Sequence, residues 1–380
     1  MKSKKILIAL FFAAITLLPM LTFLLPKRNF SELENRQLAA APEPTLESVQ
    51  DRSFMEDAET FIADHMVFRD EFVAARTRVE LASGKREIGG VYIGNNRLME
   101  NIGEPDPEIT KKNAEAISAF AQKYASTLES SVMLVPTAVE FYPSEIPPFA
   151  TAYDQTEYIQ NFYKKLRGVN RVDAYTALAS SASNGSRDIF YRTDHHWTSY
   201  GAYTGYTALA KSLGYKAATH DMFNIEHASH DFLGTLYSKA VYGTQWADNI
   251  DLYTYAPGNV VTDVVKYTGK NTQTYSTIFF RRNLEEKDQY TVFLGQNVPV
   301  VKIKTNVNNG KKLLLFKDSF ANSLMQFLPL HYEEIALVDL RYLNEPLSEY
   351  LNVRNYQQAL FLYNVGNFTD DSSLSKLLQY

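Results

Sequence analysis

Residues 313–323 read LLLFKDSFANS, a run of four apolar residues that leads within three positions to a serine. The apolar run is typical of a buried strand, and a helix is predicted to follow it from Phe320 to Phe327. Ser319 therefore lies where a strand turns into a helix. In open α/β sheets ligands bind beyond the carboxyl ends of the strands, so Ser319 is a candidate site residue.

The chain beyond Pro107 alternates short apolar runs with helical patterns. Helices are predicted over residues 109–125, 158–166 and 200–213, and strands over residues 132–135, 172–175, 335–338 and 359–363. This alternation predicts an α/β fold in which a parallel sheet is covered by helices on both faces. Residues from about 230 to 305 interrupt the alternation with many Thr, Tyr, Asn and Asp, and we expect them to form an insertion of strands and loops.

The N-terminus begins with a long apolar segment. Basic residues at both ends enclose Ile6 to Pro26, a stretch of 21 uncharged and mostly apolar residues. An apolar helix of about 20 residues spans a bilayer, and this stretch is longer than the apolar part of a signal peptide. We therefore predict an uncleaved signal anchor over residues 1–27, with secretion after signal cleavage as the alternative. The remaining residues then lie outside the cytoplasm.

A tether and a helical segment are predicted over residues 28–88. Residues 28–50 contain prolines and scattered charges, which favour an extended tether. Phe54 to Val79 has the spacing of an amphipathic helix. A hairpin with Asn95-Asn96 in its turn is predicted over residues 89–100. The predicted domain order is an anchor (1–27), a tether with a helix (28–88) and a catalytic domain (89–380).

Composition narrows the classes of function. The chain has 380 residues, a net charge of −5 and a pI near 5.9, which argues against nucleic acid as a partner. It has no cysteine, and this excludes disulfides, thiol catalysis and cysteine metal sites. Its 25 tyrosines and 23 phenylalanines suit surfaces that stack on sugars, but most aromatic side chains fill cores.

A second informative stretch reads RTDHHWTSYG over residues 192–201. It places the carboxylate of Asp194 two residues before the imidazole of His196. A serine becomes a useful nucleophile when an imidazole accepts its proton and a carboxylate fixes the tautomer of that imidazole. We therefore predict that Asp194, His196 and Ser319 form a catalytic triad for acyl transfer.

Four neighbouring residues are weaker candidates for the site. His195 and Trp197 flank the predicted base and are candidate substrate residues. We expect His195 to contact substrate or support the base rather than act as a second base. Arg341 follows a predicted strand, Tyr363 ends another, and both should face the same crevice as the nucleophile. Core packing is the alternative role for the aromatic side chains, and Asp194 could instead cap the helix that begins near Thr198.

A metal site is the main chemical alternative. Asp194-His195-His196 supplies ligand types, and His227 and His230 have His-x-x-His spacing. The sequence lacks a second carboxylate cluster and a His-Glu-x-x-His motif, so we predict neither a metal nor another cofactor. It also lacks a glycine-rich phosphate loop, which argues against nucleotide binding.

The two blocks together resemble the DHHW protein family, which is similar to the alginate O-acetyltransferases of the SGNH-hydrolase-like group. The resemblance rests on DHHW (194–197), KDSFANS (317–323), SELENR (31–36), GVYIG (90–94) and VPT (135–137). It implies an SGNH-like fold with a circularly permuted motif order, because the Asp-x-His pair precedes the serine. One departure from the family pattern is Lys317, which stands where many relatives have glycine. The candidate oxyanion or substrate residues are Asn322, Arg341 and Tyr363.

The resemblance implies an exported enzyme that transfers acetyl groups to hydroxyls of an extracellular polysaccharide through an acetyl-serine. Relatives of this kind commonly work beside a membrane-bound O-acyltransferase that supplies the acetyl group. The same triad supports hydrolysis, so a secreted carbohydrate acetyl esterase is the first alternative. A non-catalytic polysaccharide-binding wall protein is the second alternative.

Overall fold

A computed structural model describes residues 2–148, 150, 152–241, 243 and 246–379 of the chain. Its contacts divide the chain into two compact units, one comprising residues 1–89 with 237–244 and the other residues 90–236 with 245–380. The second unit contains all the residues that the sequence predicts for the site.

The described residues form short and long elements throughout the chain. The α-helices are α1 (Lys2–Leu24), α2 (Leu46–Gln50), α3 (Ser53–Asp64), α4 (Arg69–Ala82), α5 (Pro107–Tyr124), α6 (Ala138–Phe141), α7 (Gln155–Lys165), α8 (Ala174–Asn184), α9 (Ser199–Leu213), α10 (Thr235–Ala240), α11 (Phe320–Leu324) and α12 (Val365–Phe368). The strands are β1 (Phe30–Ser31), β2 (Arg36–Gln37), β3 (Glu87–Ile88), β4 (Val91–Ile93), β5 (Leu98–Glu100), β6 (Glu129–Val135), β7 (Asn170–Arg171), β8 (Phe223–Phe232), β9 (Asp248–Tyr255), β10 (Val261–Thr268), β11 (Asn271–Tyr275), β12 (Val300–Thr305), β13 (Lys312–Lys317), β14 (Glu334–Val338) and β15 (Gln358–Asn364).

The first unit begins with the apolar helix α1. Its residues 4–24 are long and apolar enough to cross a membrane, with a mean hydropathy of 2.5. Residues 28–50, expected to be an extended tether, contain the β1–β2 pair and α2. The single helix predicted from Phe54 to Val79 is wrong, because Phe68 adopts a left-handed φ of 59° between α3 and α4.

The second unit is built on an eight-stranded sheet in the order β11-β10-β12-β14-β13-β15-β6-β7. The strands β14, β13, β15, β6 and β7 run parallel, and β12, β10 and β11 extend the sheet antiparallel beyond β14. If β13 is counted as the first strand, the parallel part has the order 2-1-3-4-5 of a doubly wound fold. Strands 4 and 5 of that order precede strand 1 in the chain. The predicted α/β fold with a circularly permuted motif order is therefore confirmed.

Both faces of the parallel strands are apolar, which is why their sequences are continuous hydrophobic runs. On one face the rings of Phe316 and Phe361 stack with centroids 4.9 Å apart, and Phe120 of α5 packs edge-on against both. On the other face Leu313 and Leu315 join a buried cluster that includes residues of α8 and α9. This packing holds the carboxyl end of β13, and with it the start of α11, in a fixed position.

Three predictions for this unit are corrected by the structure. The strand expected at residues 172–175 is absent from the described elements, because β7 ends at Arg171 and Asp173 caps α8 by accepting the Thr176 amide at 3.0 Å. Helix α11 ends at Leu324 rather than Phe327, ahead of a 3₁₀ turn that contains Pro329. The segment 230–305 is rich in β-structure, but β10, β11 and β12 belong to the main sheet. Its sequence lacks the apolar runs of the central strands because these strands lie toward the sheet edge.

Candidate active site

Residues 191–196 form a closed turn between α8 and α9. The amide of Tyr191 donates to the carbonyl of His196 at 3.1 Å, which closes the turn. The carboxylate of Asp248, at the start of β9, accepts the two amides that follow, both at 2.8 Å. This fixed backbone brings the side chains of Asp194 and His196 together.

The Asp194 carboxylate is 1% exposed and is hydrogen-bonded through both oxygens. Oδ1 accepts the amide of His196 at 2.9 Å and lies 2.6 Å from His196 Nδ1. Oδ2 accepts the amide and the hydroxyl of Thr235, both at 2.8 Å. Gly234 is required beside it, because a Cβ at that position would lie 2.5 Å from Asp194 Oδ2. An ionised carboxylate at Nδ1 favours the tautomer that leaves His196 Nε2 free to accept a proton.

Ser319 stands at the start of α11, two residues after β13. Its Oγ lies 2.7 Å from His196 Nε2, so the described residues form a continuous Asp194–His196–Ser319 chain of hydrogen bonds. The turn is fixed by Asp318, whose carboxylate accepts the amides of Phe320 at 2.9 Å and Asn364 at 2.8 Å. Ser319 is half-buried, whereas the other two members are buried. A substrate can therefore reach the serine.

Burial sets the protonation states of this chain. Burial and the neighbouring His195 lower the pKa of His196 to about 4, although Asp194 acts in the opposite direction. Burial also acts to raise the pKa of the Asp194 carboxyl, but the attraction of His196 and His195, together with the hydrogen bonds, holds it well below its usual range. At neutral pH the imidazole is uncharged and the carboxyl is ionised. These are the states that a general base and its orienting group require.

Tyr290 covers one face of the candidate base. Its ring stacks on the His196 imidazole with centroids 3.7 Å apart and planes 10° from parallel. Its hydroxyl lies 3.2 Å from Ser323 Oγ and 3.3 Å from the Ser319 carbonyl, so it also contacts α11. The sequence analysis missed this residue because it lies in the irregular part of the 230–305 segment. No local pattern marks it.

Trp197 belongs to the core rather than to a substrate surface. It is fully buried, and its indole Nε1 donates to the Phe320 carbonyl at 3.0 Å and to Ser323 Oγ at 2.9 Å. Gly205 of α9 makes room for the ring, since a Cβ there would lie 2.7 Å from it. The prediction that Trp197 contacts substrate is therefore wrong, because the ring has no exposed surface. It joins the Asp-His turn to the serine helix.

Asn322 is hydrogen-bonded to two polar residues of the fold, Lys317 and Asn297. Its Oδ1 accepts from Lys317 Nζ at 2.9 Å, and its amide nitrogen donates to Asn297 at 3.2 Å. Lys317 also lies 3.6 Å from Asp339 and is 3% exposed. Asn322 therefore has both of its polar atoms bonded within the fold, which counts against its predicted role as an oxyanion donor.

Arg341 lies beside the predicted crevice. Its guanidinium donates to both carboxylate oxygens of Asp339, at 2.9 and 2.8 Å, and its side chain is 30% exposed. Tyr363 differs, because its ring is 1% exposed and packs against Phe368. The structure thus contradicts the prediction that Tyr363 faces the crevice. Tyr363 lies on the same face of β15 as Phe361, where both belong to the buried cluster that includes Phe368.

His195 packs against the candidate base. The two imidazole rings lie 3.9 Å apart, and His195 Nδ1 is 3.8 Å from Asp194 Oδ1, beyond hydrogen-bonding distance. The side chain is 20% exposed and lies near the His196 and Phe320 rings without joining the hydrogen-bonded chain. This placement fits a group that supports the base or contacts substrate.

Asp194, His195 and His196 are also the residues best placed to hold a metal ion, with ligand atoms within 4.8 Å of one another. Both Asp194 oxygens and both His196 nitrogens already have protein partners at 2.9 Å or less. A metal ion would have to displace them, including the contact with the serine. The geometry therefore fits a nucleophile and base better than a metal centre.

The chain is similar to a known protein family and to several solved structures. A family model described as DHHW protein matches residues 106–338, more than half of the chain. No curated protein sequence matches the chain. Three solved structures are similar at TM-scores of 0.61 to 0.63: a DHHW family protein from Eubacterium siraeum (23% identity, covering 76% of this chain and 97% of that one), Bacillus cereus PatB1 (20%, 74% and 98%) and PatB1 with a sulfonyl adduct (19%, 74% and 97%). At these identities the likeness establishes the fold.

Proposed function

Because the chain belongs to the DHHW protein family, we propose that it is an extracytoplasmic O-acetyltransferase that acetylates hydroxyls of a cell-surface or exported polysaccharide. The observation that carries the proposal is the hydrogen-bonded chain of Asp194, His196 and Ser319, with successive distances of 2.6 and 2.7 Å. The resemblance to the alginate O-acetyltransferases is the reason for proposing acetyl as the transferred group and a polysaccharide as the acceptor.

The reaction proceeds in two halves at one serine. In the first, Ser319 Oγ attacks the acetyl carbonyl of a donor while His196 Nε2 takes its proton, and the protonated imidazole then donates to the leaving group. In the second, His196 takes the proton of a sugar hydroxyl, which attacks the acetyl-serine and releases Ser319 with its proton restored. Asp194 stabilises the cationic imidazole in both halves.

Directed hydrogen bonds must hold the oxyanion in this reaction. Helix α11 has only five residues, so its dipole is weak at Ser319. The Ser319 backbone amide is the first proposed donor, as in other serine acyl transferases. Arg341 is the candidate second donor, because its guanidinium lies next to the same edge of the sheet and is partly exposed.

In this proposal the reaction takes place at a membrane surface, to which α1 attaches the protein. It serves as a signal anchor, with the catalytic unit on the extracytoplasmic side. Acetyl donors are made inside the cell, so an export route must deliver the acetyl group. A membrane-bound O-acyltransferase is the proposed source.

The test is a covalent adduct on the full chain in detergent. After exposure to an activated aryl acetate, or to a sulfonyl reagent of the kind that gives an adduct in PatB1, intact-mass spectrometry should show one modification that peptide mapping assigns to Ser319. Ser319→Ala should abolish it. Ser323→Ala is the matched control one helical turn later, and it should retain the adduct.

The fate of the acetyl-serine separates the alternatives. Faster loss to oligosaccharide than to water supports the transferase. Equal loss to water with and without oligosaccharide would assign the chain as a carbohydrate acetyl esterase. No adduct with either reagent would contradict both enzymes and favour a polysaccharide-binding protein.

A further inference from the structure

Strands β8 and β9 pair with each other outside the main sheet, and we call this pair the β8–β9 ribbon. Its exposed surface carries two histidines of β8, His227 and His230. Their imidazole ring centroids lie 6.1 Å apart. Neither side chain belongs to the triad or to the core, so the proposed function does not explain this pair.

Irregular strand pairing brings the two histidines together. On a regular strand, residues three positions apart point to opposite faces, because side chains alternate. Here His227 pairs with Asp251 and Phe232 pairs with Asp248, so six residues of β8 lie opposite four of β9, and the register shifts twice between these pairs. Bulges of this kind re-aim side chains. They place the rings of His227 and His230 side by side.

Each imidazole is held by a hydrogen bond at the same ring nitrogen. His227 Nδ1 lies 2.7 Å from Asp251 Oδ1, and His230 Nδ1 lies 3.0 Å from Asn249 Oδ1. Both partners are oxygen acceptors, so each Nδ1 carries the proton and each Nε2 keeps a lone pair. Among the described residues neither Nε2 has a hydrogen-bond partner. Histidines that bind metal ions are usually held in this way, with the other ring nitrogen donating to an oxygen.

The distance between the rings suits two ligands of one metal ion. At a metal–nitrogen distance of about 2.0–2.1 Å, the ring centroids of two imidazole ligands lie about 5–6 Å apart. The observed 6.1 Å therefore requires only a small rotation of the side chains. Both can rotate, since the His227 side chain is 62% exposed and His230 is exposed as well. The carboxylate of Asp251 adds negative charge beside the position of the ion.

We propose that His227 and His230 bind one divalent transition-metal ion of the Zn²⁺, Ni²⁺ or Cu²⁺ class through their Nε2 atoms, with water in the remaining positions. Imidazole nitrogen suits these ions, whereas Ca²⁺ and Mg²⁺ take oxygen ligands. The His-x-x-His spacing alone did not predict this site, because the hydrogen bonds at Nδ1 are visible only in the fold. The site shares no residue with the triad and does not depend on the proposed acetyl transfer.

A metal ion at this site stabilises the ribbon that supports the triad. Thr235, three residues after β8, bonds Asp194, and Asp248 of β9 holds the backbone of the Asp-His turn. An ion bound to His227 and His230 fixes the irregular part of β8 between them. Because the unfolded chain lacks this paired geometry, the ion raises the stability of the fold by mass action.

The group Asp194, His195 and His196 is the competing place for a metal ion, because its ligand atoms lie within 4.8 Å of one another. Its Asp194 oxygens and His196 nitrogens are already bonded inside the fold. The two places are distinguishable by reactivity. An ion on His196 would occupy the nitrogen that lies 2.7 Å from Ser319 Oγ, and it would block modification of the serine.

The test uses the full chain in detergent, without a polyhistidine tag and after removal of metals with a chelator. Calorimetric titration with Zn²⁺, Ni²⁺ and Ca²⁺ gives affinity and stoichiometry, and electron paramagnetic resonance with Cu²⁺ counts the nitrogen ligands. We expect one Zn²⁺ or Ni²⁺ ion per chain, two nitrogen ligands on Cu²⁺, and binding of Ca²⁺ that is weaker by about tenfold or more. The melting temperature should rise with the concentration of Zn²⁺.

Variants of the ribbon test the two ligands and their support. His227→Gln and His230→Gln should each weaken Zn²⁺ binding by about tenfold or more, because one nitrogen ligand is lost. Asp251→Asn keeps both ligands but weakens the bond that orients His227, and about a tenfold loss is expected. His220→Gln is the matched control and should bind Zn²⁺ unchanged, since Nε2 of His220 is already bonded to Arg187 at 2.8 Å. Circular dichroism checks that each variant is folded.

Three results would overturn the inference. They are absence of binding by all three transition-metal ions, an affinity that His227→Gln and His230→Gln leave unchanged, and a bound ion that blocks modification of Ser319 by the sulfonyl reagent. The last result would put the ion on His196. Modification of Ser319 at the same rate with and without Zn²⁺ supports the ribbon site. If Ser319 gives no adduct at all, the proposed function is wrong, and the binding measurements still decide the metal site.

Discussion

The imidazole of His196 is held on several sides at once. Asp194 bonds its Nδ1, Ser319 lies at its Nε2, Tyr290 stacks on one face and His195 lies against it as well. A base fixed in this way needs little reorganisation when a proton moves, which is the basis of preorganised catalysis. These surroundings determine the orientation of the His196 ring and its affinity for a proton.

Tyr290 is predicted to orient the base through its ring more than through its hydroxyl. Tyr290→Phe keeps the stacking and loses two hydrogen bonds of 3.2 and 3.3 Å, so we expect about a tenfold loss of acylation rate or less. Tyr290→Leu removes the stacking as well, and a loss of about 100-fold is expected. Stopped-flow acylation by an aryl acetate measures both. Equal effects of the two variants would contradict a stacking role.

The pH dependence of acylation should reflect the lowered pKa of His196. The neutral imidazole is the active base, so the rate falls as the pH falls through the pKa of the free enzyme. Because burial and His195 lower that pKa to about 4, acylation should stay constant from neutral pH to well below 6.5, the ordinary value for histidine. A rate profile of Ser319 acylation from acid to neutral pH checks this. A midpoint at or above 6.5 would contradict it.

The three polar residues of the candidate triad could be predicted from the sequence, but the residues that contact and orient them could not. Asp194, His196 and Ser319 stand in two short blocks whose residue types suggest acyl transfer, and the structure places them in hydrogen-bonding contact. Tyr290 and Thr235 contact them only because the 230–305 segment folds back onto the turn. No spacing in a single sequence encodes such a contact.

At the scale of elements, helix α9 is shaped by the ring that it covers. Glycine is unfavourable inside a helix by about 1 kcal/mol relative to alanine, yet Gly201 and Gly205 lie within α9. Gly205 faces the Trp197 ring, and a Cβ there would lie 2.7 Å from it, whereas a Cβ at Gly201 would overlap the carbonyl oxygen of Ile189 and lie 2.9 Å from the Cβ of Trp197. The helix therefore accepts weaker local propensity so that the indole can reach α11.

Gly205→Ala is expected to destabilise the protein although alanine favours helix. The new Cβ would lie 2.7 Å from the Trp197 ring, so the ring must move and its hydrogen bonds to α11 lengthen. We expect a loss of about 1–3 kcal/mol in unfolding free energy and slower acylation of Ser319. Urea unfolding and the adduct assay measure the two effects. Lys211→Ala, on the same helix at an exposed position, should change neither. Unchanged stability in Gly205→Ala would contradict the proposed packing role.

Long helices and strands with continuous apolar runs were predictable from the sequence, whereas short segments of mixed composition were not. Helices α5 and α9 and the central strands follow from apolar spacing over many residues. The segment VDAY at residues 172–175 fits a strand or a helix start, and the structure forms the helix, with Asp173 as its N-cap. The membership of β10–β12 in the main sheet depends on pairing with distant strands, which local sequence does not specify.

At the scale of the whole molecule, the predicted location of the protein depends on the apolar helix α1. Residues 4–24 have a mean hydropathy of 2.5, and Lys27 and Arg28 follow the helix. We predict that the exported protein keeps this segment and sediments with membranes, because the stretch is long enough to span a bilayer. Intact-mass analysis of the native protein checks this prediction. A mature N-terminus near Ala39 or Ala41, with the protein in the medium, would show that the segment is a cleaved signal instead.

The permuted strand order also has a consequence for biosynthesis. The innermost strands, β13, β14 and β15, are translated last, whereas β6 and β7, which pair beside them, emerge more than 100 residues earlier. Strand β6 can pair early with β7, but it lacks its other partner, β15, until residues 358–364 leave the ribosome, so the parallel sheet cannot close before then. A polypeptide that must be threaded through a translocation pore stays unfolded for that time. In the exported protein that we propose, this strand order keeps the sheet open until β13, β14 and β15 have been synthesised.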